Sequence, residues 1–299
     1  MKKSLGYFLL ITFGFAWLSA ALIPILDFGY GSFASIIIVA CLVMPAPALA
    51  SWIVQTRTLK RPFSDLGVTW KNANMPQLSL IPLWLFVFLL ANYGWIYLLG
   101  NLAGMDVFGN VDFSYDGFIL NVEEITKGKS DLSEIQFPAT WIIFTLIAFS
   151  GVLAGATFNL PFTLGEEIGW RGFLFKEFEH FNWIKRTLIT GTIWGIWHAP
   201  LILLGHNYPE HPYLGIPMMI LFCVALSFPF DIIRRNTQSV LGPAAFHGMI
   251  NATASGTVLF IQNGDALLGS LAGLSGALSA FTLLGILVIL KKYIPQFWI

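Results

Sequence analysis

Apolar runs long enough to cross a lipid bilayer recur along the whole chain. A membrane-spanning helix needs about 20 predominantly apolar residues, whereas a spanning β-strand needs about half that number. Only 11% of the residues are charged, against about 25% in soluble domains, and the mean hydropathy is +0.73. The sequence therefore predicts an all-α, polytopic integral membrane protein, in which residues 1–299 form a single membrane domain.

Eight of these runs are predicted to span the bilayer, and they cover residues 5–26, 33–55, 78–100, 138–161, 187–204, 214–233, 238–261 and 266–290. With a cytoplasmic N-terminus, this count places every Lys and Arg inside except Lys127 and Lys129, as the positive-inside rule requires. Both termini are therefore predicted to be cytoplasmic, and the compact loops suggest a prokaryotic plasma membrane. The net charge of zero excludes a nucleic-acid partner.

Two adjacent carboxylates and an arginine, Glu166, Glu167 and Arg171, stand at the edge of the fourth predicted span. Charged groups at membrane depth are costly and usually functional. On a helix, Glu167 and Arg171 share a face and can pair, whereas Glu166 is rotated by about 100° and can point elsewhere. The alternative is a helix end with two solvated acids. The mixed aromatic and charged residues 168–181 that follow predict a helix lying at the membrane interface.

Three further polar residues lie inside predicted spans on the same side of the membrane. His198 is in the fifth span, and His247 and Asn251 share one helix face in the seventh. Each alone is compatible with a packed, hydrogen-bonded residue between helices. Together with Glu166 they predict a polar, water-holding catalytic cavity. His206 and His211, by contrast, are predicted to lie in a solvated external loop on the opposite side.

Attack by water on a carbonyl is the chemistry that suits this set. Glu166 could take a proton from a water that His198 also holds, while His247 and Asn251 stabilise the oxyanion. Zinc is the main alternative, with Glu166, His198 and His247 as ligands and one position open for water. Because the HExxH signature is absent, a metal-free site without a cofactor is favoured over a zinc site.

The polar residues fall into three ordered motifs, Glu166-Glu167-x-x-x-Arg171, Trp194-x-x-x-His198 and His247-x-x-x-Asn251. This set resembles the CPBP family, the CAAX proteases and bacteriocin-processing or immunity (Abi) proteins that include the Ras-converting CAAX endopeptidase. The resemblance covers about residues 138–262, and it departs from the family in having Trp194 where a phenylalanine is usual.

The resemblance implies an intramembrane endopeptidase with an eight-helix core. It assigns Glu166 as base, His198 to the water, His247 and Asn251 to the oxyanion, and Glu167 and Arg171 to support. It implies a peptide or lipidated protein as substrate, since eukaryotic members cut after a prenylated cysteine. It does not decide between a metal-dependent and a metal-free site.

Two other function classes remain compatible with the sequence. A transporter could use the same polar groups as a relay, although the halves of the chain show no convincing repeat of the kind that transporters often have. A catalytically silent immunity or scaffold protein could keep the fold alone. The presence of Glu166, His198, His247 and Asn251 together argues against the silent protein, which has no need of all four.

Overall fold

The structure is a computed structural model that describes residues 3–126 and 135–294. Lys127 and Lys129, the two basic residues predicted to lie outside the cytoplasm, are not among the described residues. Helices dominate, and the α-helices in chain order are α1 (Lys3–Ile25), α2 (Phe33–Ile38), α3 (Ala46–Ile53), α4 (Met75–Ser79), α5 (Ile81–Ile96), α6 (Tyr115–Thr126), α7 (Thr140–Ala156), α8 (Leu160–Glu167), α9 (Leu174–Glu177), α10 (Trp183–Trp197), α11 (Ala199–Leu203), α12 (Gly215–Thr237), α13 (Leu241–Thr257) and α14 (Leu274–Tyr293).

Short irregular elements connect these helices. The π-helical turns are Val39–Val43, Val54–Thr58, Tyr97–Leu102 and Ile168–Phe173, and the 3-10 turns are Phe63–Leu66, Asp106–Phe108 and Val258–Phe260. Two two-residue strands, β1 (Asn110–Val111) and β2 (Ile261–Gln262), pair antiparallel with Asn110 opposite Gln262. The prediction of an all-α polytopic membrane protein is confirmed.

The predicted count of eight spans is not confirmed. Within the described residues, five helices are long and apolar enough to cross a membrane, namely Lys3–Ile25, Phe33–Thr58, Met75–Leu102, Gly215–Thr237 and Leu274–Tyr293. A bent pair, Thr140–Ala156 with Leu160–Glu177, raises the number to six if it counts as one span. The fifth and seventh predicted spans contain α10 and α13, which have 15 and 17 residues and are shorter than an upright crossing requires.

A sharp bend of 61° separates α7 from α8. The backbone leaves the helical region at Thr157, and α8 starts with Pro161 in its first turn, where the missing N–H costs nothing. Side chains then tie α8 to α13, because Asn159 Nδ2 donates to the Gly248 carbonyl at 3.1 Å and Thr163 Oγ1 to the Ala244 carbonyl at 2.9 Å. The bend therefore carries the two glutamates inward.

The segment predicted as an interfacial helix, residues 168–181, is instead buried over its first half. The whole π-helical turn Ile168–Phe173 and Leu174 after it are buried. Its two glycines allow this, since Gly169 lies against Pro47 and Gly172 against Leu66, with no side chain between them. The prediction was wrong because the mixture of aromatic and charged residues here serves an interior ion pair, described below.

Helix α10 packs along α12 over most of its length. Gly191 and Gly195 make the close approach possible, because a Cβ at either position would collide with the α12 backbone at Val224 or Ile220. The N-terminal helix covers the end of α10, where Trp17 Nε1 donates to the Trp197 carbonyl at 3.2 Å. The end of α10 is thus fixed from two sides, and this end carries the candidate site.

Candidate active site

A cavity of about 350 Å³ lies among α8, α10, α12 and α13. Glu166, His198, His247 and Asn251 all line it, so the structure brings together the four residues that the sequence singles out. Apolar side chains complete the wall, including those of Met44, Leu201, Phe222 and Leu226. Asn251 is solvent-exposed while the other three polar residues are buried, so the cavity is open on the Asn251 side.

Glu166 lies in the last turn of α8 and is only 3% exposed. The indole Nε1–H of Trp194 donates a hydrogen bond to Glu166 Oε2 at 3.0 Å. Because each carboxylate oxygen has two lone pairs, the carboxyl group keeps acceptor capacity for a water in the cavity. Glu166 is therefore held in one orientation by this hydrogen bond, and its carboxyl group can still accept a hydrogen bond from water.

The neighbouring Glu167 is also buried, but unlike Glu166 it accepts hydrogen bonds from two charged or ionisable side chains. Arg171 Nη1 donates to both of its oxygens at 3.1 and 3.0 Å, which is the ion pair that the i, i+4 spacing predicts. His247 Nδ1 lies 3.0 Å from Glu167 Oε1. Neither Glu167 nor Arg171 is among the residues lining the cavity, and both instead support groups that are.

Arg171 is fixed from all sides. Its Nη2 donates to Ser227 Oγ at 2.9 Å, and its guanidinium lies 4.5 Å from the ring centroids of both Trp194 and Phe230. A guanidinium stacked between aromatic faces gains cation–π attraction that is strongest when desolvated. Arg171 is thereby held in place to neutralise the buried Glu167 carboxylate, whose desolvation would otherwise cost a large free energy.

The contact with Glu167 constrains the chemistry of His247. An ionised carboxylate only accepts hydrogen bonds, so Nδ1 of His247 must carry the proton of this contact. The neutral ring then presents an unprotonated Nε2, and only the imidazolium donates from both nitrogens. An oxyanion in the cavity could therefore accept a hydrogen bond from the Asn251 amide, and from His247 when its ring is an imidazolium.

His198 owes its orientation to the end of α10. The helix stops at Trp197, and the His198 amide donates to the Gly195 carbonyl rather than to that of Trp194. The freed Trp194 carbonyl accepts instead from His198 Nδ1 at 2.9 Å. Because Nδ1 donates there, neutral His198 has an unprotonated Nε2, which can accept a hydrogen bond from a water.

Trp194 is the functional residue that sequence reasoning undervalued. Its indole N–H holds Glu166, its carbonyl holds His198, and its ring centroid lies 5.3 Å from that of His247. The sequence signal was present, since tryptophan stands where the CPBP motif usually has phenylalanine. The indole is larger than a phenyl ring and adds an N–H donor, and the spacing alone does not show where that N–H points.

His206 also lines the cavity, which contradicts its predicted place in a solvated loop on the opposite side. The reason is that α11 has only five residues, and Gly205, with a φ of +104°, turns the chain back toward His198. His211 does lie away from the cavity, where its Nε2 contacts Asp265 Oδ2 at 2.7 Å.

The donor geometry fits a metal ion poorly. Within the described ranges, 3–126 and 135–294, no three side chains of His, Cys, Asp or Glu come close enough together to hold an ion. The candidate zinc ligands Glu166, His198 and His247 line one cavity but do not converge on one point. A metal-free site remains a hypothesis, which chelation tests.

Two comparisons with known proteins bear on this geometry. Residues 137–253 match the family described as type II CAAX prenyl endopeptidase Rce1-like. A curated protein of Methanococcus maripaludis named CAAX prenyl protease 2 is 29% identical to the chain over 93 residues, which are 29% of this chain and 34% of that protein. The chain thus spans about a third of the length of the relative that it matches. The resemblance to the CPBP family is thereby confirmed over residues 137–253, which contain all three motifs and are similar to the Rce1-like CAAX prenyl endopeptidases.

Proposed function

We propose that the protein is an intramembrane endopeptidase that hydrolyses a peptide bond with water activated by Glu166. The observation that carries this proposal is the convergence of Glu166, His198, His247 and Asn251 on one cavity. A volume of about 350 Å³ is at the lower end for ligand sites and suits a few residues of an extended peptide. The family match over the same helices supports peptide hydrolysis as the reaction.

Each group has one step in the proposed reaction. Glu166 removes a proton from a water that also donates to Nε2 of His198, and the water oxygen attacks the carbonyl carbon of the peptide bond. The Asn251 amide stabilises the resulting oxyanion, assisted by His247. When the carbon–nitrogen bond breaks, Glu166 returns the proton to the departing amine, so that the enzyme ends in its starting state.

The proposed substrate is a peptide segment of a membrane-attached protein. A prenylated cysteine is the candidate attachment, because the matched relative is named a prenyl protease. The test is to incubate purified protein with CAAX peptides bearing or lacking a farnesyl group, and to identify products by mass spectrometry. Cleavage confined to farnesylated peptides supports the full proposal. Cleavage of both kinds corrects the substrate, and no cleavage of any peptide contradicts the proposal.

Chelation should leave the activity intact. Because no three potential ligands converge in the described part of the chain, we expect dialysis against EDTA and 1,10-phenanthroline to change kcat/KM by less than about twofold. The measurement is peptide cleavage before and after dialysis, with metal content determined by mass spectrometry. Loss of activity that added Zn²⁺ restores would instead establish a metalloprotease.

Replacing Trp194 with phenylalanine should slow turnover without preventing folding. The change keeps an aromatic ring beside Arg171 but removes the N–H that holds Glu166. A hydrogen bond to a carboxylate contributes roughly 1.5–3 kcal/mol, so we expect kcat to fall about tenfold with KM nearly unchanged. Trp197→Phe is the matched control, since the buried Trp197 indole N–H lacks a hydrogen-bond partner among the described residues. Equal kcat values for the two variants would show that Trp194 does not position Glu166.

A further inference from the structure

A third histidine, His206, belongs to the wall of the cavity, and none of the three motifs includes it. Its ring plane is within 2° of parallel to that of His198, with the centroids 6.1 Å apart. Its Nδ1 lies 2.6 Å from the hydroxyl of Tyr30, in the loop between α1 and α2. The loop that carries His206 is therefore connected to the loop between α1 and α2.

The loop is also fixed at its base. The His206 amide donates to the Leu201 carbonyl at 3.0 Å, and the fully buried Tyr208 donates its hydroxyl to the Ala272 carbonyl at 2.5 Å. Two anchors on either side of one side chain leave it little freedom. His206 is consequently a preorganised part of the cavity rather than a solvated loop residue.

The contact with Tyr30 determines which nitrogen of His206 carries the proton. His206 is the hydrogen-bond partner recorded for the Tyr30 hydroxyl, and burial raises the pKa of that phenol, which keeps it protonated. If the phenol donates to Nδ1, its proton is satisfied, and the neutral ring carries its own proton on Nε2. The opposite assignment would leave the phenol proton without an acceptor in the described structure.

Burial also lowers the pKa of His206 to about 4. The ring is therefore neutral between pH 5 and pH 8, and it offers one N–H donor with no charge. Neutral N–H donors suit oxygen acceptors such as a peptide carbonyl, which gain a hydrogen bond without the desolvation of an ion. His198, by contrast, presents an unprotonated Nε2 to the same cavity, so the two parallel rings have complementary roles.

We propose that His206, oriented by Tyr30, donates Nε2–H to an acceptor oxygen of the bound peptide and thereby determines substrate affinity. This inference rests on the proposed function, because it takes a peptide as the occupant of the cavity. The acceptor oxygen has two sources, a backbone carbonyl or the terminal carboxylate of the peptide. Both present the same chemistry to the N–H group, and the experiment separates them.

The test measures binding without turnover. In full-length Glu166→Gln protein, the affinity for a fluorescent farnesylated CAAX peptide is measured by anisotropy for His206→Ala, His206→Gln and Tyr30→Phe. We expect about tenfold weaker binding for His206→Ala, partial recovery for His206→Gln, whose amide restores an N–H, and an intermediate loss for Tyr30→Phe. His211→Ala is the matched control, because it removes a histidine contact in the same loop away from the cavity.

A second peptide with an amidated C-terminus identifies the oxygen. If the carboxylate is the acceptor, the amidated peptide binds weakly and does not respond to His206→Ala. If a backbone carbonyl is the acceptor, both peptides respond equally. Unchanged affinity in His206→Ala and Tyr30→Phe, with thermal unfolding like that of the parent, would overturn the inference. If binding depends on His206 but the parental protein, with Glu166 intact, cleaves no peptide, the inference stands and only the proposed function is overturned.

Discussion

Glu166→Gln should abolish peptide cleavage while leaving peptide binding intact. The glutamine side chain has nearly the same shape and still accepts the hydrogen bond that Trp194 donates to Glu166 Oε2. It cannot take a proton from water, so the step that generates the nucleophile is lost. We expect kcat to fall about 10³-fold, within the range typical for removal of a general base, with KM changed by less than about twofold. Single-turnover cleavage measures the chemical step directly.

The matched control for this change is Glu210→Gln in the exposed loop before α12. It removes the same charge by the same substitution and should retain the parental kcat. A Glu166→Gln protein that keeps more than about a tenth of the parental rate would exclude Glu166 as the base. In that case the transport and scaffold functions would become the leading explanations of the cavity.

Arg171→Met should be the most destabilising single change near the site. It leaves the buried Glu167 carboxylate in contact with His247 but without its ion-pair partner, and it removes the cation between Trp194 and Phe230. Removing one partner of a buried ion pair costs roughly 3–5 kcal/mol, because the other charge remains desolvated. We expect a lower midpoint for thermal unfolding in detergent and a similar loss of folding free energy in denaturant titrations.

The double variant Glu167→Gln/Arg171→Met distinguishes charge burial from packing. Removing the carboxylate as well should recover much of the lost stability, because no unpaired ion then remains in the interior. Arg57→Met, at an exposed position where the guanidinium lies over the Trp52 ring, is the control for loss of an arginine and should change stability by less than about 1 kcal/mol. A double variant as unstable as the single one would show that packing, not charge, determines the cost.

Much of the helical framework follows from the sequence because its signals are local. The spans around α1, α5 and α12 were predicted within a few residues of their observed ends, since each is a continuous apolar run with polar flanks. The last span was predicted to begin at residue 266, whereas α14 begins at Leu274. The bend after Ala156 and the burial of Ile168–Phe173 were missed. Both depend on contacts with segments distant in the sequence, such as Asn159 with Gly248, which periodicity does not reveal.

The candidate site shows the same division between local and distant information. The Glu167–Arg171 pair follows from an i, i+4 spacing on one segment. The place of His206 depends on a chain reversal at Gly205 and on a tyrosine 176 positions earlier. The contact between Trp194 and Glu166 joins two helices, and no spacing within either helix encodes it. The catalytic roles of the four cavity residues remain predictions, and the Glu166→Gln experiment tests that of Glu166.

Two groups of the candidate site are held by the same residue, Trp194, and this determines how the site responds to movement of α10. Glu166 is bonded to the indole of Trp194, and His198 to the carbonyl of the same residue. Helix α8, which carries Glu166, is held to α13 by the hydrogen bonds of Asn159 and Thr163 and by the contact of Glu167 with His247. A shift of α10 along α12 would therefore stretch the hydrogen bond between the indole and Glu166, while the distance between Glu166 and Asn251 on α13 would stay nearly constant. Widening the cavity in this way would thus disturb the activation of water before it changed the alignment of the oxyanion donor.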